Sequence, residues 1–225
     1  MPIKSWPKSE RPREQLLEKG TALLSDAELL AVLLRNGIKG SDAIAFGREL
    51  LVKFGGLRGL LAVESRELQK EKGLGPAKIA TLLAAREIVK RSLRQGILTK
   101  NIIRDPESMM VYLAASLRDR KKEVFKVFFL NKANCLIDEA DLFEGTVDEA
   151  GIHIRELIKA ALDRHATALI LAHNHPSGRV EPSPEDKKIT RKLQAALALV
   201  SIALLDHIIV GGDQYFSFME KGLLG

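Results

Sequence analysis

The apolar run Ala168–Ala172 is the segment that most constrains the fold of this chain. Its side chains do not alternate with polar residues, which predicts a strand that is buried on both faces of its sheet. Pro176 and Gly178 follow and end that strand. Because a strand of this kind must be covered by helices on both sides, the run favours an α/β architecture.

The residues on either side of this run alternate between helical and strand patterns. Pro106–Leu117 predicts a helix, and the aromatic and β-branched residues of Glu123–Leu130 predict a strand. Further elements are expected at Cys135–Ile137 with Asp141–Phe143 (strand), His153–Arg164 (helix), Pro184–Val200 (helix), Ala203–Val210 (strand) and Tyr215–Phe218 (strand). The alternation predicts a sheet with helices on both faces.

Residues 10–95 show helical patterns and no convincing strand. Ser25 and Glu28 are spaced as a capping box ahead of an apolar segment that ends near Leu34. Other helices are expected over Ser41–Phe54, over Glu64–Lys72, and from Pro76 to about Leu93. This half of the chain is therefore predicted to be all-α.

The change of pattern near residue 100 predicts two domains. We expect an all-α domain over residues 1–95, a linker over residues 96–105 and an α/β domain over residues 106–225. Charge is also divided, because residues 1–100 carry 19 Lys and Arg against 11 Asp and Glu, and residues 101–225 carry 16 against 18. The basic half favours contact with phosphates, and a solvated basic surface without a partner explains it equally well.

Composition excludes several classes of protein. No apolar run approaches the roughly 20 residues that span a bilayer, and the first residues lack the apolar core of a signal peptide. Cys135 is the single cysteine, which excludes an internal disulfide and a cysteine-rich zinc finger. We therefore expect a cytoplasmic protein with no membrane partner.

Two histidines follow the apolar run and share one side of the strand, because side chains two residues apart point the same way. With Ser183 and Asp186, the histidines His173 and His175 spell H-x-H-x₇-S-x₂-D. Two imidazoles and one carboxylate can hold a zinc ion and leave its fourth position to water. The spacing predicts a zinc site, with Asp186 as the candidate third ligand.

The same residues also fit roles without a metal. Ser183 and Asp186 match an ordinary helix start, with the serine as cap and an acid in the first turn. A general base would need a further carboxylate near the metal. Glu123 and Glu185 are both candidates. Glu123 lies in a charged connector where a solvated side chain is also expected, and spacing does not decide between the two.

The C-terminal half resembles the JAMM (MPN+) metalloprotease domain, in which a distant glutamate precedes H-x-H-x₇-S-x₂-D. The whole chain is similar to the bacterial RadC family, which also carries an N-terminal helical domain. The matching segments are Phe143–Thr146, Pro176–Gly178, Pro182–Asp186 and Asp206–Val210. The resemblance implies an α-β-α sandwich of the JAMM, cytidine-deaminase-like type with a mixed sheet.

The resemblance also implies a role for each motif residue. His173, His175 and Asp186 become the ligands of one zinc ion per chain. Glu123 takes a proton from the zinc-activated water and returns it to the leaving amine, and Ser183 stabilises the oxyanion. The expected reaction is hydrolysis of a peptide or isopeptide bond in a peptide or protein substrate.

Three further residues lie within or near the motif. Asn174 stands where deubiquitinating relatives usually carry serine, so a ubiquitin-like substrate is not implied. Asp206 and His207 lie in a predicted strand near the site. Asp206 is a candidate hydrogen-bond partner for a metal-bound imidazole, but packing alone is the preferred explanation of the pair.

The N-terminal half contains Gly73-Leu74-Gly75 followed by Lys78, which resembles the helix-hairpin-helix element of DNA-repair proteins. Glycines let the backbone approach a phosphate, and the helix that follows presents free N–H groups. Gly73, Gly75 and Lys78 are therefore candidate DNA contacts, and residues 36–41 are a candidate degenerate second copy. A tight turn between helices, or a protein-binding scaffold, explains the motif equally well.

Two functions remain open on the sequence. The first is a zinc metallopeptidase whose helical module selects its location or partner. The second is a DNA-repair or recombination accessory protein with a structural or vestigial metal site. A metal-dependent nuclease fits less well, because a single site with two histidines and one aspartate lacks the carboxylates expected for two-metal chemistry. The oligomeric state is not predicted.

Overall fold

The chain forms two compact units, Met1–Val89 and Lys90–Gly225. The computed structural model describes residues 3–98, 100–144 and 153–224. Each unit has its own buried apolar core, so each is described by itself.

The regular elements described in the N-terminal unit are helices, as its periodicity predicts, apart from one isolated β-bridge between Ile38 and Ser41. Its helices are α1 (Pro12–Lys19), α2 (Asp26–Leu34), α3 (Ala43–Phe54), α4 (Gly56–Ala62), α5 (Ser65–Leu68) and the first part of α6 (Pro76–Leu98). Their apolar faces meet in one cluster, which includes Leu30, Phe46, Leu50, Leu60, Leu68 and Leu82.

Side-chain caps fix the starts of α2 and α3. Ser25 and Glu28 form the predicted capping box, in which the Ser25 N–H donates to Glu28 Oε2 at 2.8 Å and the Glu28 N–H donates to Ser25 Oγ at 3.4 Å. The Asp42 carboxylate accepts from two backbone N–H groups at the start of α3. α3 ends at Phe54, and Gly55 follows it in the left-handed conformation that terminates many helices.

The helix predicted over Glu64–Lys72 is shorter than expected. α5 ends at Leu68, and the chain continues in tight turns, such as the one closed by the Lys70 N–H and the Glu67 carbonyl at 3.1 Å. These turns deliver Leu74 into the core, where it is 4% exposed. Packing of that side chain outweighs the local helical preference.

Lys78 joins two loops of this unit. Its Nζ donates to the carbonyl oxygens of Gly37 and Gly73, both at 3.1 Å, and lies 4.7 Å from the ring centre of Phe46. Burial lowers the pKa of the Lys78 ammonium group. The exposed Gly75 lies at the start of α6. Contact between these residues and DNA stays a prediction, and the structure shows that Lys78 already has protein partners.

The C-terminal unit is the predicted α/β domain. Its elements are the end of α6, α7 (Pro106–Leu117), β1 (Val124–Leu130), β2 (Leu136–Glu144), α8 (Ile154–Asp163), β3 (Ala168–Asn174), α9 (Pro184–Ala198), β4 (Ala203–Gly211) and β5 (Gln214–Ser217). The described strands form one mixed sheet in the order β2-β1-β3-β4-β5. Among these described strands, the β3–β4 pair is parallel and the others are antiparallel, and β3 lies in the centre.

Helices cover both faces of this sheet, which confirms the α-β-α prediction. One cluster packs α7 and the end of α6 against one face, and it includes Ile97, Met109, Leu113, Phe128, Ile170 and Ile208. A second cluster packs α8 and α9 against the other face, and it includes Phe125, Leu157, Leu169, Leu171, Ile189 and Leu193. Every residue of β3 is buried.

The antiparallel pairing of β1 with β3 brings distant residues to one edge of the sheet. Phe125, near the start of β1, pairs with His173, near the end of β3. Glu123 precedes β1 and His175 follows β3, so both leave the sheet at this edge.

The region predicted as a linker, residues 96–105, takes part in the C-terminal unit. α6 continues to Leu98, and Ile97 and Ile102 are buried in the core beside α7. The apolar side chains at these two positions explain why the segment is packed.

None of the described helices has the length and apolar character that a membrane-spanning helix needs.

Gly73 and Gly75 lie two residues apart but differ in their surroundings, which gives a matched test of the N-terminal packing. Gly73 has φ +94°, and a Cβ there would clash with Ile38 and lie 3.2 Å from the Phe46 ring, whereas a Cβ at Gly75 meets nothing within 4 Å. Gly73→Ser should lower the free energy of unfolding by about 2 kcal/mol or more.

Gly75→Ser should change that free energy by less than about 0.5 kcal/mol, because serine is accepted at a helix start. Urea denaturation of both variants provides the measurement. Equal losses at the two positions would contradict the packing described for Gly73.

Candidate metal centre

Two imidazoles meet at the end of β3. Strand alternation places His173 on the sheet face that α8 and α9 cover, and His175 continues in the same direction just beyond the strand. Their Nε2 atoms lie 3.0 Å apart. The His173 side chain is completely buried, whereas that of His175 is 15% exposed. The pair therefore has one wall inside the protein and one side open to solvent.

The first turn of α9 brings a carboxylate to this pair. Asp186 Oδ1 lies 3.2 Å from His173 Nε2, and Asp186 Oδ2 lies 3.5 Å from His175 Nε2. Ser183, which caps α9, donates its N–H and its O–H to Asp186 Oδ2 at 2.8 Å and 2.7 Å. The helix cap inferred for these two residues is thus present, and it directs the carboxylate toward the imidazoles.

Glu123 adds a second carboxylate from the other side. Its Oε1 lies 3.5 Å from His175 Nε2 and 3.9 Å from His173 Nε2, and its side chain is 16% exposed. Glu123, His173 and His175 each offer a ligand atom within 4.8 Å of the others, which makes them a candidate metal-binding group. Glu185, the rival carboxylate, is exposed on the first turn of α9.

Asn174, between the two histidines, fixes the segment that carries Glu123. Its Oδ1 accepts from the Val124 N–H at 2.9 Å, and its Nδ2 donates to the carbonyl oxygens of Arg120 and Lys122, both at 3.1 Å. Serine is too short to make all three contacts. The asparagine therefore ties the charged connector to the end of β3, a role that sequence reasoning did not find.

A hydrogen bond from the protein orients the ring of His175. Its Nδ1 lies 2.8 Å from the carbonyl oxygen of Arg179. A carbonyl only accepts, so this nitrogen carries a proton, and in the neutral ring Nε2 keeps its lone pair. The lone pair points into the space that His173, Asp186 and Glu123 share.

His207 supports the other imidazole from behind. Its Nε2 lies 2.9 Å from His173 Nδ1, and its Nδ1 lies 2.6 Å from Thr190 Oγ1. Complete burial lowers the pKa of His207 well below its usual value, and the charge of the nearby His173 lowers it further. Two features of the sequence could have pointed to these contacts. They are a histidine inside the apolar strand β4 and a threonine one helical turn after Asp186.

Asp206 does not contact the imidazoles of the cluster. Its carboxylate accepts from Ser217 Oγ at 2.6 Å and from the backbone N–H groups of His207 and Met219 at 2.7 Å and 3.0 Å. It therefore holds β4 to the chain after β5. This is the packing role preferred from the sequence, and the neighbouring His207 is the residue that contacts an imidazole of the cluster.

Electrostatics favour an ionised carboxylate at the centre. Burial alone would raise the pKa of Asp186, but its close contacts with His173, His175 and Ser183 outweigh burial and hold that pKa well below its usual range. The bond with Asp186 raises the pKa of His175 above its usual value, against the effect of burial. A proton on His175 would therefore compete with a cation for the same nitrogen.

The fold and this cluster together define a JAB-type α/β domain with a candidate metal centre. Residues 103–223 match the family of the RadC-like JAB domain, and residues 3–80 match that of the UPF0758 N-terminal domain. The segment Phe143–Thr146 contributed to the resemblance in sequence, but Gly145 and Thr146 lie outside the described residues.

Full-length relatives agree with these matches. A UPF0758 protein of Thioalkalivibrio sulfidiphilus is 50% identical over 224 residues, and one of Nitrosomonas europaea is 46% identical over 224 residues, with 100% of both chains covered in each case. A UPF0758 protein of Saccharophagus degradans is 47% identical over 222 residues, or 99% of both chains. This chain belongs to the UPF0758 (RadC) family. Domains of the JAB type are typically hydrolytic.

Removal of the Asn174 side chain tests how the Glu123 segment is held. Asn174→Ala leaves one buried N–H and two carbonyls without their partner, so the free energy of unfolding should fall by about 2–4 kcal/mol. Asn131→Ala is the control, because it removes two hydrogen bonds from an exposed turn, and it should lose about 1 kcal/mol or less. Similar losses in chemical denaturation would contradict the role given to Asn174.

Metal affinity should depend on pH through His175. Its raised pKa means that, below that pKa, a cation must displace a proton, whereas Asp186 stays ionised throughout this range. Zinc affinity should therefore fall by about tenfold per pH unit below the raised pKa and level off above it. Chelator competition from about pH 5.5 to about pH 8.5, a range that brackets the titration of an imidazole, would measure this.

His153→Ala provides the control, because this exposed histidine lies outside the cluster. The variant should keep the wild-type pH dependence. Zinc affinity that is flat across this range in the wild type would exclude proton competition at His175.

Proposed function

We propose that this protein is a zinc-dependent metallopeptidase that hydrolyses a peptide or isopeptide bond. The observation that carries the proposal is the convergence of two imidazole Nε2 atoms and the Asp186 carboxylate at separations of 3.0 to 3.5 Å. Ligands at about 2.0–2.1 Å from a tetrahedral ion lie about 3.3 Å apart. The side chains are therefore spaced to hold one zinc ion with little movement.

The donor types also favour zinc. Imidazole nitrogen suits zinc and other transition metals, whereas calcium and magnesium prefer sets of oxygen ligands. A zinc ion held by two histidines and one carboxylate supplies a Lewis acid that polarises a carbonyl and lowers the pKa of water toward about 7.

The two carboxylates are suited to different roles. Asp186 is almost completely buried, and Ser183 holds one of its oxygens, so it is a fixed group that fits the role of third ligand. Glu123 lies farther from His173, at 3.9 Å against 3.2 Å for Asp186, and is more exposed. It is better placed to accept a proton from the attacking water and to pass it to the leaving amine.

Ser183 is assigned two roles that compete for one proton. Its hydroxyl donates to Asp186 Oδ2 and accepts from the Asp186 N–H at 3.0 Å. To stabilise an oxyanion, the hydroxyl must rotate away from Oδ2 while it keeps the N–H bond. We propose that the serine holds the ligand before the reaction and donates to the oxyanion during it.

The partner is proposed to be a peptide or protein. The alternative, a DNA-repair accessory protein, depends on a module whose lysine, Lys78, already donates to two backbone carbonyls. The acidic cap of α3, Asp42, also occupies the helix start that follows the candidate second copy of the motif. Neither feature favours a phosphate at these loops.

Substitution of Glu123 separates catalysis from metal binding. Glu123→Gln should keep stoichiometric zinc and lower peptide hydrolysis by at least about 100-fold, because the amide cannot accept the proton. Zinc content by elemental analysis and turnover on a peptide library provide the readouts. Glu185→Gln is the matched control, and it should retain both zinc and turnover.

The proposed ligands should behave in the opposite way. His175→Ala and Asp186→Ala should lose stoichiometric zinc, and a chelator should remove the wild-type activity whether or not DNA is present. Normal turnover in Glu123→Gln would refute the assignment of the base. Zinc-loaded wild-type protein that cleaves no peptide, while binding DNA with a steep salt dependence, would favour the accessory role.

A further inference from the structure

We infer that His207 and Thr190 are positioning residues that set the tautomer of His173, so that its Nε2 lone pair faces the metal centre. The inference rests on the proposed metal site and adds two residues that the JAMM-type pattern does not contain. One chain of hydrogen bonds connects the backbone of α9 to the ligand, and each bond fixes the direction of the next.

The series of hydrogen bonds begins at Thr190, whose hydroxyl can donate in only one direction. Thr190 Oγ1 lies 2.5 Å from the carbonyl oxygen of Asp186, one helical turn earlier. A carbonyl only accepts, so the single hydroxyl proton of Thr190 points to it. Toward its other close neighbour, His207, the hydroxyl can therefore only accept.

The next two links follow from this first one. His207 Nδ1, at 2.6 Å from Thr190 Oγ1, must carry a proton and donate it. The neutral His207 ring then has a lone pair on Nε2, which accepts from His173 Nδ1 at 2.9 Å. With the proton of the neutral His173 ring on Nδ1, the lone pair of that ring lies on Nε2.

The surroundings hold His207 in this arrangement. Its ring is stacked on Phe218 at 4.9 Å between centres and lies 5.4 Å from Phe125. The residue has no exposed surface. These ring contacts hold His207 in place, so its two nitrogens stay aligned with Thr190 and His173.

The two imidazoles of the centre are thus oriented by different devices. His175 uses the Arg179 carbonyl, which can only accept. His173 uses an imidazole, which can donate or accept from either nitrogen. Thr190 is needed to decide between these states, because the opposite direction would put a proton on His173 Nε2 and close that position to a cation.

Four variants test the relay. His207→Phe keeps a stacked ring but removes the acceptor, and Thr190→Val replaces the hydroxyl with a methyl group of similar size. His207→Gln and Thr190→Ser are the conservative controls, because a glutamine amide can accept from one side and donate to the other. Zinc affinity by chelator competition should fall about 10–100-fold in the first two variants. It should stay within about threefold of the wild type in the controls, since their hydrogen bonds are kept.

The tautomer of His173 is the measurement that would not change if His207 and Thr190 only stabilised the fold. In two-bond ¹H–¹⁵N spectra of the zinc-free protein, His173 should carry its proton on Nδ1 in the wild type and in both controls. His207→Phe and Thr190→Val should shift that proton toward Nε2. If His207→Phe does not fold, the Thr190 pair alone decides the outcome.

Two results would overturn the inference: a wild-type His173 protonated on Nε2, or wild-type zinc affinity and tautomer in both disruptive variants. Neither readout requires turnover. A protein with the expected tautomers and zinc affinities but no peptidase activity would therefore refute the proposed function and leave the relay intact.

Discussion

The antiparallel pairing of β1 with β3 is the constraint on which the candidate site depends. It sets Phe125 opposite His173, so the segment before β1 and the segment after β3 leave the sheet at the same edge. Glu123 thereby reaches two histidines that lie far from it in sequence. Asn174 then converts this proximity into a fixed position, because it bonds to three backbone groups of the incoming segment. A slip of one residue in the register would turn these side chains to the opposite face.

The start of α9 shows how one set of atoms can serve both folding and chemistry. Ser183 and Asp186 satisfy the free N–H groups of a helix end, as in many soluble proteins. The same bonds to Asp186 Oδ2 leave Oδ1 directed at His173. The carboxylate is therefore already oriented before a cation would bind, which lowers the entropic cost of binding. Capping and ligation are compatible here because a carboxylate has two oxygens.

The buried side of the site holds polar side chains that would destabilise the fold if they had no hydrogen-bond partners. His173, Thr190 and His207 have no more than 1% exposure. Each has a hydrogen-bond partner, and the series ends at a backbone carbonyl of α9, so no member is left unsatisfied. Such a network favours one arrangement of protons, and that arrangement leaves the lone pair of His173 free. The packing of the core and the geometry of the site therefore depend on the same buried residues.

The sequence by itself determined the helical N-terminal half, the buried central strand, the capping boxes and the H-x-H-x₇-S-x₂-D set, because periodicity, caps and short spacings are local properties. It did not determine the length of α5 or the packing of residues 96–105, where tertiary burial of Leu74, Ile97 and Ile102 prevailed. Spacing alone did not show which of Glu123 and Glu185 lies beside the imidazoles, or that His207 contacts one of them. Only the tertiary structure decided these points, because strand register and helix packing choose which side chains from distant parts of the chain come within hydrogen-bond distance.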